Sequence, residues 1–292
     1  MNAKAISKIR DKKGRFLKGY SFSLKTQFKK GKPSPRKGIR KPGWTNQTSF
    51  KPRSSLWEKN VREYQSIHLW VKTNFGRPDF CEFCKKTQGK FEWANKTGRY
   101  IKDKLDWLRL CHICHRDYDL QRNGIKKAAK LILSIHYKQG LILIAGNGGS
   151  MEMSDHWAGE LVGRFEKERD PIAAYALSSS AIITAISNDY GYEYSFSRQI
   201  EALGNRDGLF ICLTTSDVNE KENHNLNLRK ALNTAFNKKK MKIIILGSNK
   251  TKRLRKCANV FIRANGVTTA EIQNDQLRIM HDICREVEKA FI

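Results

Sequence analysis

LILIAGNGGS, residues 141–150, is an apolar run that breaks straight into a glycine-rich turn. The run is too short for a helix and rich in Ile and Leu, so it reads as a buried strand. A helix follows from near Met153. Upstream, IKKAAKLILSIHYKQG has apolar residues at helical spacing and stops at Gly140. Downstream, four more short apolar runs recur between helical stretches: IAAYALS, LFICLTT, KIIILGS and NVFIRA. Strands that are apolar throughout and alternate with helices pack as a parallel sheet covered on both faces. The fold class is therefore α/β, with a five-stranded parallel sheet over residues 126–292.

Such sheets bind ligands beyond the carboxyl ends of their strands. Two hydroxyl-bearing loops lie there. The first holds Asn147, Gly148, Gly149 and Ser150, where glycines let backbone amides at a helix start approach an anion. The second, after the third strand, is Thr214, Thr215 and Ser216. This pair suits a phosphomonoester better than a dinucleotide, for which an acidic ribose partner is missing.

Ahead of this domain the texture changes. The chain of 292 residues carries a formal charge of +28, and roughly +21 of it falls within residues 1–125. An excess so localised implies a polyanionic partner, most plausibly nucleic acid. Residues 1–55 form a basic, largely irregular tail of Lys, Gly, Pro and Ser, with Phe16, Phe28 and Phe50 available to stack on bases. Residues 56–122 hold CEFC and CHIC, so Cys81, Cys84, Cys111 and Cys114 stand as two CxxC pairs. Two such knuckles complete a closed tetrahedral site, which predicts a structural zinc ion; His112 and His115 lie close enough for one to replace a thiolate. Close cysteine pairs belong to a reducing compartment. The opening segment lacks the apolar core of a secretory signal, and no run of 18 apolar residues offers a membrane span. A cytoplasmic location is expected, in a bacterium or a phage-infected host cell, with no membrane partner.

The segment from IHLW to CHICH resembles the HNH-like zinc domains of phage and homing endonucleases, in which a ββ-hairpin and a helix wrap the zinc. The resemblance implies a small ββα-type module that binds DNA or RNA. An active nuclease of that type needs a histidine on the first hairpin strand, where this chain has FEWAN.

IAGNGGS, SDHWAGELVGRFEKERDPIAAYALSS, ITAISNDYGYEYSFSRQIEALG and AEIQNDQLRIMHDI resemble phosphoheptose isomerases of the SIS class segment by segment. The resemblance implies a flavodoxin-like sheet and a metal-assisted aldose–ketose isomerisation of sedoheptulose 7-phosphate. It also implies a catalytic zinc ion near His156, Glu160, Gln273 and His281, with Glu160 as the enediol-forming base and His281 as the partner acid/base. Phosphate is then expected at Ser150, Thr214 and Ser216, and sugar hydroxyls at Asn147 and Asp189. Gly148, Gly149, Thr215 and Gln273 complete the substrate-binding set. His156 and Glu160, four apart on a helix, share one face.

Three departures stand out. Asp217, Val218 and Asn219 replace the family's Gly-Asn-Ser, an insertion EKENHN follows, and Asp217 is expected to repel phosphate. Met151 and Met153 stand where small or polar residues are usual. Only one of the family's two leading helices is readable. Those helices build the family's tetramer, so a homo-oligomer is expected and its assembly is left open. The leading reading is an isomerase fused to a nucleic-acid-binding zinc module. One alternative is a non-catalytic SIS regulator that binds sugar phosphate or a replication initiator; the other is a nuclease with a passenger SIS domain. The retained Glu160 and His281 favour the enzyme.

Overall fold

The computed structural model describes residues 55–291, with side chains from residue 63 onward; the readings on residues 1–54, including the three stacking phenylalanines, lie outside the described residues. The chain divides into two compact units, Met1–Ser66 and Ile67–Ile292. Of the first, only the opening turns of a helix, α1 (Ser55–Phe75), are described. That helix has no counterpart in the sequence reading.

The second unit begins around an antiparallel hairpin, β1 (Phe91–Asn95) and β2 (Trp107–Cys111), paired from Phe91↔Cys111 to Asn95↔Trp107. Its long connection is closed by the buried Asp106, whose carboxylate accepts from Asn95 Nδ2 (2.8 Å), Thr97 N (3.0 Å) and Thr97 Oγ1 (3.0 Å). Buried and fully satisfied, this network sets the shape of the loop.

Helix α2 (His112–His136) leaves β2 without a break and runs through residues 122–126, past the start that helical spacing suggests. The Asn123-Gly124 pair reads as a turn signal, yet Gly124 is helical for a packing reason. A Cβ there would lie 3.0 Å from Ile262 Cγ1, so glycine lets the helix approach the sheet without displacing that side chain. Farther on, Ala128, Ile132 and Ile135 bury the inner stripe of the helix.

The five apolar runs all form strands: β3 (Ile142–Gly146), β4 (Ala174–Ala176), β5 (Leu209–Leu213), β6 (Lys242–Gly247) and β7 (Val260–Arg263). They make one parallel sheet in the order β4-β3-β5-β6-β7, the flavodoxin-like arrangement expected. Alternate residues feed two cores. Ile142, Ile144 and Ile211 face α2, α3 (Gly149–Val162) and α7 (Thr269–Glu288). Leu143, Ala145 and Phe210 face α5 (Ser197–Leu203) and α6 (Leu226–Asn233). Between β4 and α5 lies α4 (Ser180–Tyr190), none of whose residues is buried.

The chain reverses direction across the sheet between β3 and β5. Their ends are in register, Gly146 opposite Leu213, so the two hydroxyl-bearing loops emerge side by side, at the switch point where such sheets hold ligands. Among the described residues no helix is long and apolar enough to cross a membrane.

Candidate active site

The first loop is held open by contacts along its length. Asn147 binds Asn227 through both amide atoms, Nδ2 to Oδ1 at 3.1 Å and Oδ1 from Nδ2 at 2.7 Å. It also donates to Asn225 Oδ1 (2.9 Å) and accepts from the Tyr192 hydroxyl (3.2 Å). Gly149 lies against the Gln273 amide: a Cβ there would be 2.6 Å from Gln273 Nε2, so a larger residue would push that side chain aside. Ser150 is buried at the head of α3.

The second loop is braced from α7, where buried Gln276 donates to Thr214 O and Leu246 O, both at 2.9 Å. Thr214 Oγ1 donates in turn to Ser216 O (2.9 Å), and Thr215 O accepts from Ser248 Oγ (2.8 Å). Ser216 is the meeting point of this loop and the insertion. Its Oγ lies 2.8 Å from His224 Nε2 and accepts from Asn225 Nδ2 (3.0 Å). The insertion folds back through the Asn219↔His224 bridge, which delivers both side chains. Asn225 takes a left-handed conformation at φ 57° directly before α6, one that asparagine tolerates.

Asp217, expected to repel phosphate, has its carboxylate turned to a run of backbone amides. Its carboxylate accepts from the backbone amides of Lys252 (3.0 Å), Arg253 (2.7 Å) and Leu254 (3.1 Å). Burial works to raise its pKa, but these amides win and hold it below the ordinary 3.8. The charge is spent inside a backbone nest. Asp189 is exposed, and its carboxylate accepts from its neighbour Asn188 (2.9 Å).

Helices α3 and α7 pack side by side. They bring His156, Glu160 and His281 together, with one donor atom from each within 4.8 Å of the others. His156 Nε2 is 3.0 Å from Glu160 Oε1, and the two imidazole rings are 5.3 Å apart. His281 also stacks on Phe165, with ring centroids 5.1 Å apart and planes at 20°. Burial, and next the neighbouring His156, push its pKa below the ordinary histidine value, so the imidazole is neutral near pH 7. Two imidazoles and a carboxylate are a donor set that fits zinc.

Residues 163–170 owe their course to two groups that the sequence pattern did not single out. Buried Glu288 accepts from the amides of Phe165 (3.1 Å), Glu166 (3.1 Å) and Lys167 (3.2 Å). The Arg169 side chain, only 1% exposed, donates to Glu160 O (2.6 Å) and Leu161 O (3.0 Å). Arg169 thus ties the segment to the end of α3, and Glu288 presents Phe165 to His281.

Known proteins match this scaffold over its α/β part. The SIS domain family model covers residues 109–247. Phosphoheptose isomerase of Campylobacter jejuni is 33% identical over 177 residues, 60% of this chain and 91% of that protein. That of Helicobacter pylori is 35% identical over 168 residues, 57% of this chain and 84% of that protein. The chain belongs to the phosphoheptose isomerase family. As a member it is a sugar-phosphate isomerase. The solved phosphoheptose isomerases of Francisella tularensis and Neisseria gonorrhoeae superpose with TM-scores of 0.54 and 0.53 at 31% and 26% identity. Each covers 60% of this chain, and 90% and 91% of those chains are matched.

The hairpin and helix ahead of the isomerase part gather the other cluster. One thiol sulfur from each of Cys81, Cys84, Cys111 and Cys114 lies within 4.8 Å of the rest. Glu82 couples the two knuckles: its Oε1 accepts from Arg109 N (3.0 Å) and Arg109 Nε (3.1 Å). Burial works against ionising Cys81, yet backbone amides of Cys111, Cys84 and Phe83 bring its thiol down to about 6. Burial and the surrounding thiols push Cys114 far up. Four thiols this close hold their charge together only around a cation. On β1, Glu92 occupies the strand of the missing histidine, and its Oε2 lies 2.8 Å from His115 Nδ1.

Proposed function

We propose that the isomerase part interconverts sedoheptulose 7-phosphate and its aldose isomer through an enediol. The observation that carries this reading is the convergence of His156, Glu160 and His281 on α3, which starts in the first loop, and α7, whose Gln273 lies against that loop at Gly149. Ser150, Thr214 and Ser216, with the amides around Gly148 and Gly149, receive the phosphate. His224 and Asn225 stand beside Ser216 and join them. Asn147 and Asp189 serve sugar hydroxyls, and Thr215 and Gln273 line the same end of the sheet.

Glu160 takes the proton from the carbon next to the carbonyl and returns it to the neighbouring carbon. His281, neutral at working pH, exchanges the hydroxyl and carbonyl-oxygen proton. Phe165 and Arg169 hold these two groups in place and exclude water from one side. His156, Glu160, Gln273 and His281 would hold a zinc ion, which when bound polarises the substrate carbonyl. The first test is isomerisation of sedoheptulose 7-phosphate by the purified chain, with and without zinc. Glu160→Gln should abolish turnover while the protein stays folded, and full activity in that variant would sink the assignment. Absence of turnover in a folded, zinc-loaded sample would favour a regulator that only binds sugar phosphate.

For residues 1–122 the proposal is a nucleic-acid-binding region whose four thiols hold a structural zinc ion. Its support is the thiol cluster and the charge excess. Metal-dependent cleavage of duplex DNA would instead revive the nuclease alternative. A homo-oligomer finds support in α4, whose apolar Ile182 and Tyr190 are exposed; a sedimentation mass equal to one chain would remove it.

A further inference from the structure

A cleft of about 290 Å³ lies where the hairpin connection, α2 and α7 meet. Seven cationic side chains line it with two carboxylates, Asp282 and Glu286, and Arg122, Arg278 and Arg285 also pair with Asp119, Asp275 and Glu166 beyond the cleft. Both carboxylates are already engaged by cations of their own helix. Asp282 binds Arg278 (2.6 Å) and Arg285 (3.1 Å), and Glu286 binds Lys289. Among the described residues no carboxylate pairs with Lys96, Arg99 or Lys126, and all three are exposed. The packing holds them together. Gly98, between Lys96 and Arg99, sits so close to α2 that a Cβ on it would be 3.4 Å from Lys126 Nζ and 3.5 Å from Arg122 Nη1.

Cations forced together without counter-charges repel one another, and the arrangement costs stability unless an anion resolves it. A single small phosphate would neutralise one or two of them. A chain of phosphates at regular spacing would meet cations from all three elements in turn. Resting on the nucleic-acid reading above, we propose that this cleft carries the phosphodiester backbone, so that the isomerase helices α2 and α7 form part of the nucleic-acid surface. The zinc module is rigidly aligned for this role. Buried Gln121 donates to Asp275 Oδ2 (2.9 Å) and Arg263 O (3.1 Å), and Asp117 pairs with Arg263 at 2.5 Å. The cleft also backs onto the catalytic centre: the Arg285 guanidinium lies 5.4 Å from the ring of Phe165, the residue stacked on His281.

The test uses the full chain and the double variant Lys126→Glu, Lys289→Glu, which leaves the hairpin module and the residues assigned to catalysis untouched. Anisotropy of a labelled 30-base-pair duplex and a 30-nucleotide single strand is followed between 50 and 200 mM salt. The variant should bind the preferred probe at least tenfold more weakly, and its plot of log affinity against log salt should be shallower by about one to two units. If wild type binds and the variant matches it in affinity and slope, the cleft is not the surface, although the nucleic-acid reading survives. If wild type binds neither probe, both fall. An unchanged thermal midpoint certifies the fold, and Arg99→Glu, on the exposed connection, replaces the double variant if that midpoint drops.

Discussion

Replacing Glu288 by alanine tests whether the segment between α3 and β4 is held from α7 as the geometry implies. The carboxylate is almost fully buried, accepts three backbone amides and lies 4.0 Å from Arg169. Truncation strands those amides and leaves a buried guanidinium without its counter-charge. Breaking a buried pair from one side costs about 3–5 kcal/mol. Arg169 keeps its carbonyl acceptors on Glu160, Leu161 and Asp170, so the lower end, about 3 kcal/mol, is expected. For a unit of this size, that corresponds to a fall of about 6–12 °C in melting temperature. Glu288→Gln, which keeps one carbonyl acceptor for the amides, should fall between the two. Turnover should suffer even below the melting range. Freed from Glu288, residues 165–167 no longer present Phe165 to His281, and small misplacements at a reacting centre cost up to about a hundredfold. Calorimetry and isomerisation of sedoheptulose 7-phosphate at 20 °C supply the two readouts. A loss under about 1 kcal/mol with unchanged kcat would refute the reasoning.

His224→Ala should raise KM for the sugar phosphate roughly tenfold with little change in kcat, the loss of one hydrogen bond to a charged group; a lower KM would show that the imidazole obstructs the pocket instead. Asp217→Asn should destabilise the protein at neutral pH. Because the folded pKa of Asp217 is depressed, its contribution is full above the unfolded value and is lost as pH falls through the folded one. Wild type and variant should therefore converge in urea stability toward acid pH, and a constant gap would contradict the nest. Metal analysis should find two zinc ions per chain, one lost in Cys84→Ser and the other in His156→Ala. A single zinc that survives Cys84→Ser would dismiss the structural site.

All five strands were legible because strands buried on both faces carry uninterrupted Ile, Leu and Val, a pattern that tertiary context rarely overrides. GNGGS and the Thr214–Ser216 cluster were legible for a different reason: their chemistry sits directly on the strand ends. The helical run through residues 112–125 was hidden by Asn123-Gly124, where packing against Ile262 outweighs turn propensity. For Asp217 only the charge is visible in the chain; its three amide partners, more than thirty residues away, are not. Glu288 and Arg169 were missed for the same reason. Each is an ordinary surface residue by type, buried here only because the segment after α3 folds over α7. His224 lies inside the inserted EKENHN, which sequence reasoning singled out as a departure; only the fold-back at Asn219 shows that it returns to Ser216.

The continuity of α2 bears on how the thiol cluster and the isomerase part share one chain. Its first turn carries Cys114 and its later turns pack into the isomerase core against α7 and β7. Asp117 and Gln121, between those ends, are bound to Arg263 and Asp275. A helix held at several points along its length cannot swing at a hinge, so the thiol cluster and the sheet behave as one body and not as beads on a linker. Any nucleic acid gripped by the hairpin is then carried at a set position relative to α7, the helix that supplies Gln273 and His281. A flexible fusion would place no such constraint. In this arrangement the rigid helix keeps the basic residues of α2 and α7 on the same side as Lys96 and Arg99.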